Sequence, residues 1–184
     1  MKVISTISAA AFFATVTPAL ADIVVNQAIS KTEVLTAQQG WCQALVEIST
    51  ANTTSGQAAA RKIAEAVIDS AYGYQMGAVL FKPTLTVNPQ TFRTTRAGAL
   101  AYFVGGDSNY PNDTGFALRN WTKCEIENAG IFITGSSASS MGKVHLTDKD
   151  SNLTTVDKTW TFVRDDAGQL RIVVHHSSLE FTGE

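Results

Sequence analysis

The chain has 184 residues, a formal net charge of −2, 45% hydrophobic residues and 16% charged residues. This composition is typical of a globular protein with one apolar core, and it leaves little room for a disordered tail. The sequence contains no basic cluster or cationic helix, so we expect neither a nucleic-acid partner nor binding to an anionic membrane.

The first residues have the pattern of a secretory signal peptide. Lys2 precedes an apolar run that reaches Ala14, and small residues follow as far as an A-x-A motif ending at Ala21. The apolar run is too short to cross a membrane, and no later run approaches the necessary length. We therefore expect a signal peptide at residues 1–21, one domain at residues 22–184, and export to the periplasm or out of the cell.

Two helices are predicted at the start of the exported chain. From residue 32 to about residue 50, apolar side chains recur at helical spacing, which predicts an amphipathic helix. The stretch "NTTSG" interrupts this pattern. Ser55 is the expected cap of a second helix, which runs to Gly73.

A strand and a third helix are expected next. The stretch "AVLFKPTLTV" is strand-like, and Pro83 favours an edge position because proline cannot donate a hydrogen bond to a neighbouring strand. The stretch "TTRAGALAYFVGG" predicts a short helix, capped by Thr94 or Thr95 and ended by Gly105 and Gly106.

The second half of the chain has the pattern of an antiparallel meander over residues 116–178. Its five strand-like runs are "FALRNWTKCEIEN", "GIFITG", "SASSMGKVHLTD", "TTVDKTWTFVRD" and "QLRIVVHHSSL". Turn signals at hairpin spacing separate them. Helices followed by antiparallel strands indicate an α+β fold, in which a curved sheet wraps over the helices and leaves a cone-shaped pocket between the two layers.

The last strand ends in two histidines and two serines. Because side chains alternate between the faces of a strand, His175 shares one face with Ser177, and His176 shares the other face with Ser178. Either pair would place an imidazole beside a hydroxyl in one wall of the sheet. A solvated strand end is the alternative explanation, and the alternation alone does not choose between the two pairs.

Two earlier stretches offer further polar candidates. Thr84 and Thr86 lie on one face of the strand-like run "FKPTLT", although threonine is also common on solvated strand faces. Tyr102 lies among small apolar residues in the third helix, so we expect its ring to be buried. A buried phenol usually needs a hydrogen-bond partner, which is either structural or a ligand.

Metal and disulfide chemistry have weak sequence signals. The chain has three histidines, and the adjacent His175 and His176 face opposite ways, so the sequence predicts no zinc site. Cys42 and Cys124 are compatible with one disulfide in an oxidising compartment or with two buried thiols. The sequence does not decide between these alternatives, because it does not give the distance between the two Cα atoms.

Taken together, several blocks of the sequence resemble the iota-class carbonic anhydrases. The blocks are "VLFKPTLT", "GALAYFVGGD", "GFALRNWTKCEIENAGI", "MGKVHLTD", "TFVRDDAGQLRI" and "HHSSL", and the likeness extends from about residue 72 to residue 181. The resemblance implies the cone-shaped fold of SnoaL-like, nuclear-transport-factor-2-like domains. One departure is Glu180, which stands where the family usually has a proline.

The resemblance also implies an activity and a site. In the metal-free branch of the family, a Thr, a Tyr, a His and a Ser hold bicarbonate, and the matching residues here are Thr84, Tyr102, His175 and Ser177. The expected reaction is the reversible hydration of carbon dioxide, with these four residues both catalytic and substrate-binding. His175 is the expected base, because its reference pKa suits neutral pH. No cofactor is expected, although other branches are described as metal-dependent.

Two other functions remain compatible with the same fold. An isomerase of the ketosteroid type would need a carboxylate base in the pocket, and the pocket blocks offer no obvious Asp or Glu. A non-catalytic module for ligand binding or assembly is the second alternative, since this fold has many functions. We also expect a homodimer formed through the outer face of the sheet, because a sheet covered on one side leaves apolar surface for a partner.

Overall fold

The computed structural model describes residues 26–183, so the predicted signal peptide lies outside the described residues. Within residues 26–183 the structure has three α-helices and five β-strands, with one short 3₁₀ turn at Phe116–Leu118. The helices are α1 (Lys31–Ser55), α2 (Gln57–Ala71) and α3 (Arg96–Val104). The strands are β1 (Leu80–Lys82), β2 (Trp121–Thr134), β3 (Ser137–Asp148), β4 (Leu153–Arg164) and β5 (Leu170–Leu179).

The first helix is longer than the periodicity predicts. Ser30 and Glu33 form a reciprocal capping box at its start, which satisfies two backbone donors of the first turn. The helix continues through "NTTS" and stops at Gly56, whose φ of 83° favours glycine. The prediction that Ser55 caps α2 is therefore wrong, because Ser55 closes the last turn of α1 and Gly56 separates the two helices.

The third helix has the predicted ends. The Thr95 side chain accepts a hydrogen bond from the backbone N–H of Gly98, and Gly105 stops the helix with a φ of 62°. A Cβ atom at Gly105 would lie 3.0 Å from the carbonyl oxygen of Asp113. Glycine is therefore needed where the chain leaves α3 and turns back over the pocket.

The five strands form one curved sheet in the order β1-β5-β4-β3-β2. Strands β2 to β5 are an antiparallel meander, as predicted. Strand β1 occupies the edge that Pro83 favours, and it pairs in parallel with β5, which places Phe81 opposite His175. This parallel pair was not predicted, because a three-residue edge strand gives no signal of its direction.

Two details of the predicted meander are wrong. The stretch "FALRN" contains the 3₁₀ turn, and β2 begins only at Trp121. The stretch "NAG" is not a turn, because β2 runs through it with a register shift between Asn128 and Gly130. Such an irregularity bends the sheet. The opposing residue is Gly142, where a Cβ atom would lie 2.0 Å from the carbonyl oxygen of Glu127.

The core lies between the helices and the inner face of the sheet. The sheet contributes the buried residues Val144, Leu146, Val156, Trp160, Phe162 and Ile172, and the helices contribute Val34, Trp41, Leu45, Ile48, Ala64 and Ile68. A disulfide joins Cys42 on α1 to Cys124 on β2, with Cα atoms 5.3 Å apart, and so fixes the helix layer to the sheet. Among the described residues, no helix is long and apolar enough to cross a membrane.

Candidate active site

The closing strand separates its two histidines onto opposite faces. His175 and Ser177 are buried on the inner face, each with 1% of its surface exposed. His176 is exposed and lines a groove of about 400 Å³ on the outer face. The inner pair is the one to which the family resemblance gives a role, and the outer pair faces solvent.

Thr84 and Ser177 meet at the end of β1. Thr84 lies in a turn after Lys82 rather than in a strand, which differs from the prediction, because β1 ends before Pro83. Its Oγ1 atom is 2.6 Å from the Oγ atom of Ser177. Thr86, the other threonine of this stretch, donates a hydrogen bond to the carbonyl oxygen of Thr91 at 2.8 Å and has a structural role.

Tyr102 lies on α3 with its ring stacked on Phe116 at a centroid distance of 5.4 Å. Its side-chain hydroxyl is buried and has no hydrogen-bond partner of good geometry among residues 26–183. Burial raises the pKa of Tyr102, and the nearby hydrogen-bonding groups of Thr84 and Leu85 oppose this rise only in part. The phenol therefore stays protonated at neutral pH and can donate a hydrogen bond to a ligand. We call Thr84, Tyr102 and Ser177 the hydroxyl cluster.

A cavity of about 170 Å³ lies beside the hydroxyl cluster. It is lined by Tyr102, by the chain that follows α3 and by Arg119. Asp113, which also lines it, is held by Arg93 in a buried ion pair at 2.9 Å. The guanidinium of Arg119 forms no ion pair with any described residue, so the uncompensated charge at this cavity is positive.

His175 is held by contacts at both ring nitrogens. Its Nδ1 atom is 2.9 Å from the Tyr72 hydroxyl, and its Nε2 atom is 2.9 Å from the amine of Lys158. Burial lowers the pKa of His175 well below its ordinary value of 6.5, and a positive charge on Lys158 would lower it further. A base at His175 would have to release one of these partners, so this geometry does not favour the expected role of His175 as the base.

Lys158 is a buried residue of the site that the sequence analysis missed. Only 3% of its surface is exposed, and its amine lies 4.6 Å from the ring centroid of Trp41 and 5.6 Å from that of Trp160. Burial lowers its pKa to about 7. Strand alternation could have found it, because Val156, Lys158 and Trp160 share one face and the two flanking residues are apolar.

Tyr72 is the second residue that the sequence analysis missed. It follows α2, is fully buried, and accepts a hydrogen bond from Trp41 Nε1 at 2.9 Å. Burial raises its pKa well above the usual value. No local motif marks it, since its contact with His175 joins positions 103 residues apart. We call Tyr72, Lys158 and His175 the amine cluster.

Phe81 separates the two clusters. Its ring stacks on His175 at a centroid distance of 4.4 Å and meets Tyr102 edge-on at 5.7 Å. The pocket therefore has a polar side, made of hydroxyls, and a side where the polar groups are enclosed by aromatic rings.

Metal ligands are not gathered at this site. Across residues 26–183, no three His, Cys, Asp or Glu side chains are close enough together to hold a metal ion. His145, the remaining histidine, lies on β3 and contacts Thr155 and Glu127.

A curved sheet closed by a helix layer, with polar groups buried on the inner face, defines the nuclear-transport-factor-2-like class of α+β proteins. A nuclear-transport-factor-2-like protein of unknown function from Pseudomonas putida has the same fold, with a TM-score of 0.53 at 14% identity over 84% of this chain and 89% of that one. At this identity the likeness concerns the fold alone.

Closer relatives define the family. The family model for metal-independent carbonic anhydrases matches residues 32–179. A metal-independent carbonic anhydrase of Nostoc sp. is 60% identical over 167 residues, which are 91% of this chain and 82% of the relative. The crystal structure of a cyanobacterial iota-carbonic anhydrase complexed with bicarbonate has 60% identity and a TM-score of 0.87, over 89% of this chain and 100% of that one. The chain belongs to the metal-independent carbonic anhydrase family.

Proposed function

We propose that this protein is a carbonic anhydrase that catalyses the reversible hydration of carbon dioxide to bicarbonate without a metal ion. The observation that carries the proposal is the 60% identity, over 89% of the chain, to an iota-carbonic anhydrase crystallised with bicarbonate. The buried hydroxyl of Tyr102 also supports the proposal. It lacks a protein partner in the described part of the chain, so it can donate a hydrogen bond to an oxygen of the ligand.

The hydroxyl cluster is the proposed bicarbonate-binding group. Negative charge develops on the oxygens of carbon dioxide as water attacks the carbon, and preorganised donors stabilise that charge most when water is excluded. Tyr102 is a donor because its pKa is raised. Thr84 and Ser177 already share one hydrogen bond, so one of the two hydroxyls retains a free proton for the ligand.

The aromatic side of the pocket is the proposed location of carbon dioxide. The substrate is small and apolar, and the rings of Phe81, Phe103 and Tyr102 provide an apolar wall next to the hydroxyls. Such a wall excludes water from the reacting carbon except for the attacking molecule, and this strengthens the hydrogen bonds to the product.

The competing isomerase function would need a carboxylate base beside the hydroxyls. The carboxylate that lines the cavity, Asp113, accepts hydrogen bonds at both oxygens from the Arg93 guanidinium, so it is occupied as an ion-pair partner and is not a free base. A non-catalytic module of the same fold would show no turnover, so activity decides between that function and the proposed one.

Stopped-flow measurement of carbon dioxide hydration tests the proposal. We expect a rate well above the uncatalysed background, unchanged after dialysis against a strong chelator. A rate at background would disprove the function, and a rate that falls with chelator and returns with a divalent metal would disprove only the metal-free mechanism. The variant Thr86→Val is a matched control for Thr84→Val, because Thr86 binds the backbone of its own turn.

We infer export of the protein from the signal-like pattern of residues 1–21. The Cys42–Cys124 disulfide supports this inference, since disulfides persist mainly in oxidising compartments. We expect mass spectrometry of the native protein to find Asp22 at the N-terminus. Retention of Met1 would contradict both the cleavage and the division into residues 1–21 and 22–184.

We also propose a homodimer formed through the outer face of the sheet. Exposed apolar side chains support it, since Phe132, Met141 and Leu153 are each more than 60% exposed. Sedimentation equilibrium at micromolar concentration should give twice the monomer mass, and Met141→Lys should shift the equilibrium towards monomer. A monomer in the wild type would contradict the proposal.

A further inference from the structure

The hydrogen-bond chain of the amine cluster has one arrangement of protons that satisfies every contact. Trp41 Nε1 can only donate, so the Tyr72 oxygen accepts from it and the Tyr72 O–H is free to donate to His175 Nδ1. A neutral imidazole that accepts at Nδ1 carries its proton at Nε2. This N–H points at Lys158, which can accept it only as a neutral amine with a lone pair.

The opposite arrangement places a charged ammonium at Lys158. The ammonium would donate to His175 Nε2, and Nδ1–H would then donate to the Tyr72 oxygen, which already accepts from Trp41. The Tyr72 O–H would be left without an acceptor among the described residues, which is costly for a buried group. Burial also disfavours the ammonium, while the two indole faces favour it.

Among residues 26–183, no negative charge lies beside Lys158 that would stabilise its ammonium form. The groups that face it are Trp41 from α1, Trp160 from β4, His175 and Ser177 from β5, and Gly142 from β3. Asp157, the adjacent carboxylate, lies on the outer face near Lys143. In the described part of the chain, no carboxylate pairs with Lys158, so an anion bound in the pocket would be its first counter-ion.

Ser177 connects Lys158 to the proposed anion site. The two residues are opposite each other on neighbouring strands, and both side chains are buried. Side chains at such directly opposed positions have Cβ atoms roughly 5 Å apart. The register therefore places an anion held by the hydroxyl of Ser177 one strand away from Lys158, with both side chains out of bulk water, where opposite charges attract strongly.

We propose that Lys158 is neutral while the pocket holds no anion and takes up one proton when an anion binds there. The inference rests on the proposed hydration reaction and assigns the fate of its proton. A water O–H bond breaks and its oxygen bonds to the carbon of carbon dioxide. One C=O electron pair moves onto oxygen to give bicarbonate, and the proton goes to the Lys158 nitrogen. The lone pair of Lys158 gives up the N–H of His175, whose proton moves to Nδ1, so the chain takes the ammonium arrangement, and the attraction of the anion offsets the lost acceptor of the Tyr72 O–H. Bicarbonate and proton are thus retained as an ion pair until both leave for solvent.

The burial-lowered pKa of Lys158, about 7, is consistent with this proton uptake. It makes the amine available as an acceptor near neutral pH, where general bases work best. Anion binding and protonation of Lys158 favour each other. An anion that prefers the ammonium raises the pKa of Lys158 when it binds, and by reciprocity the anion binds more weakly as pH rises above about 7.

Nitrate is a suitable probe, because it is a planar monoanion that does not titrate or react. Calorimetry in two buffers of different ionisation enthalpy should show about one proton taken up per nitrate at pH 8 and far less at pH 6. The dissociation constant should rise roughly tenfold between pH 7 and pH 8.5. In Lys158→Met, the affinity at pH 6 should fall about tenfold or more and the pH dependence should disappear.

Lys82→Met is the matched control. Lys82 is a partly buried lysine whose amine donates to the carbonyl oxygen of Ser177 at 3.0 Å, from the β1 side. Its loss should leave the pH dependence of nitrate binding intact. If that dependence disappears in Lys82→Met and persists in Lys158→Met, the proton has been assigned to the wrong lysine.

If Lys158→Met does not fold, the lysines of the wild-type protein can be titrated directly. Lysine side-chain NMR of the wild type should show one amine, shifted by the rings of Trp41 and Trp160, that titrates near 7 and whose pKa rises by about two units with nitrate. Ordinary titration of every lysine, or nitrate binding independent of pH, would overturn the inference while hydration activity stands. Absence of hydration in the wild type would overturn the proposed function and the assignment of its proton together.

Discussion

The two sides of the pocket differ in their polar groups and in how far aromatic rings enclose those groups. The hydroxyl cluster consists of neutral donors next to a cavity with the positive charge of Arg119. The amine cluster is enclosed by indole and phenyl rings, and its members form a continuous hydrogen-bond chain. Phe81 lies between the clusters and contacts a member of each.

In a site without a metal, the two products of hydration, bicarbonate and a proton, can be stabilised by different groups. Hydroxyls stabilise an anion without changing their own charge, so they suit bicarbonate. A desolvated amine changes charge near neutral pH, so it suits the proton. A metal ion would perform both tasks at one point, by stabilising hydroxide and orienting the product.

The largest expected effect is on the amine cluster. We expect His175→Ala to reduce the hydration rate by roughly 10²–10⁴, because Lys158 and Tyr72 both lose the partner that positions them for proton transfer. His176→Ala should stay within about threefold of wild type, since His176 faces the outer groove. Steady-state hydration kinetics of both variants would measure this. An inactive His176→Ala with an active His175→Ala would mean that the site is on the other face of the strand.

Removal of a single donor from the hydroxyl cluster should have a slightly smaller effect. We expect Tyr102→Phe to lower kcat by roughly 10²–10³, the usual loss for one donor to a developing oxyanion. Tyr74→Phe is the control, because Tyr74 donates to the backbone of Arg93 and not to the pocket. A full rate in Tyr102→Phe would assign the unpartnered hydroxyl a role in packing alone.

A smaller effect is expected at the cavity mouth. Arg119→Gln should raise the inhibition constant of bicarbonate by about 3–10-fold at low ionic strength, because the variant loses long-range attraction of the anion. The difference from wild type should shrink in 0.5 M salt, where charges are screened beyond a few ångströms. Inhibition kinetics at two salt concentrations measure both effects, and a difference that salt does not change would point to a structural role of Arg119.

The last expected effect is on stability rather than on activity. His175 has a lowered pKa in the folded protein and an ordinary one near 6.5 in the unfolded chain, so below pH 6.5 the unfolded chain binds a proton that the folded protein excludes. The free energy of unfolding should therefore fall by up to about 1.4 kcal/mol per pH unit as pH drops from 6.5 towards 5. Urea denaturation at several pH values measures this slope. The slope should persist in His176→Ala and flatten in His175→Gln.

The sequence predicted the features that depend on local rules. Strand alternation separated His175 from His176, Pro83 indicated the edge strand, and the caps of α3 followed from Thr95 and Gly105. The hydroxyl cluster required the family resemblance, because Thr84 and Tyr102 have no local signal that relates them to β5.

Two members of the amine cluster, Lys158 and Tyr72, were missed for physical reasons. Lysine is almost always exposed, so its charge is ordinarily taken to indicate a solvated position even where strand alternation places it on the inner face. The contact of Tyr72 with His175 arises only when α2 is packed against the sheet. The bulge at "NAG" was also missed, because Asn and Gly are as typical of hairpin turns as of irregular strands.

Gly142 has a consequence for how this pocket can be altered. At this position the main chain of β2 fills the space that even a methyl group would need. The side chains of the sheet can be exchanged, but Gly142→Ala would require the backbones of β3 and β2 to move apart at this point. Because Gly142 is opposite Lys158 in the register, the first wall to move would be the one that holds the amine. Any redesign of the pocket that shifts β3 at Gly142 would therefore be expected to disturb the position of the Lys158 amine before that of the hydroxyl cluster.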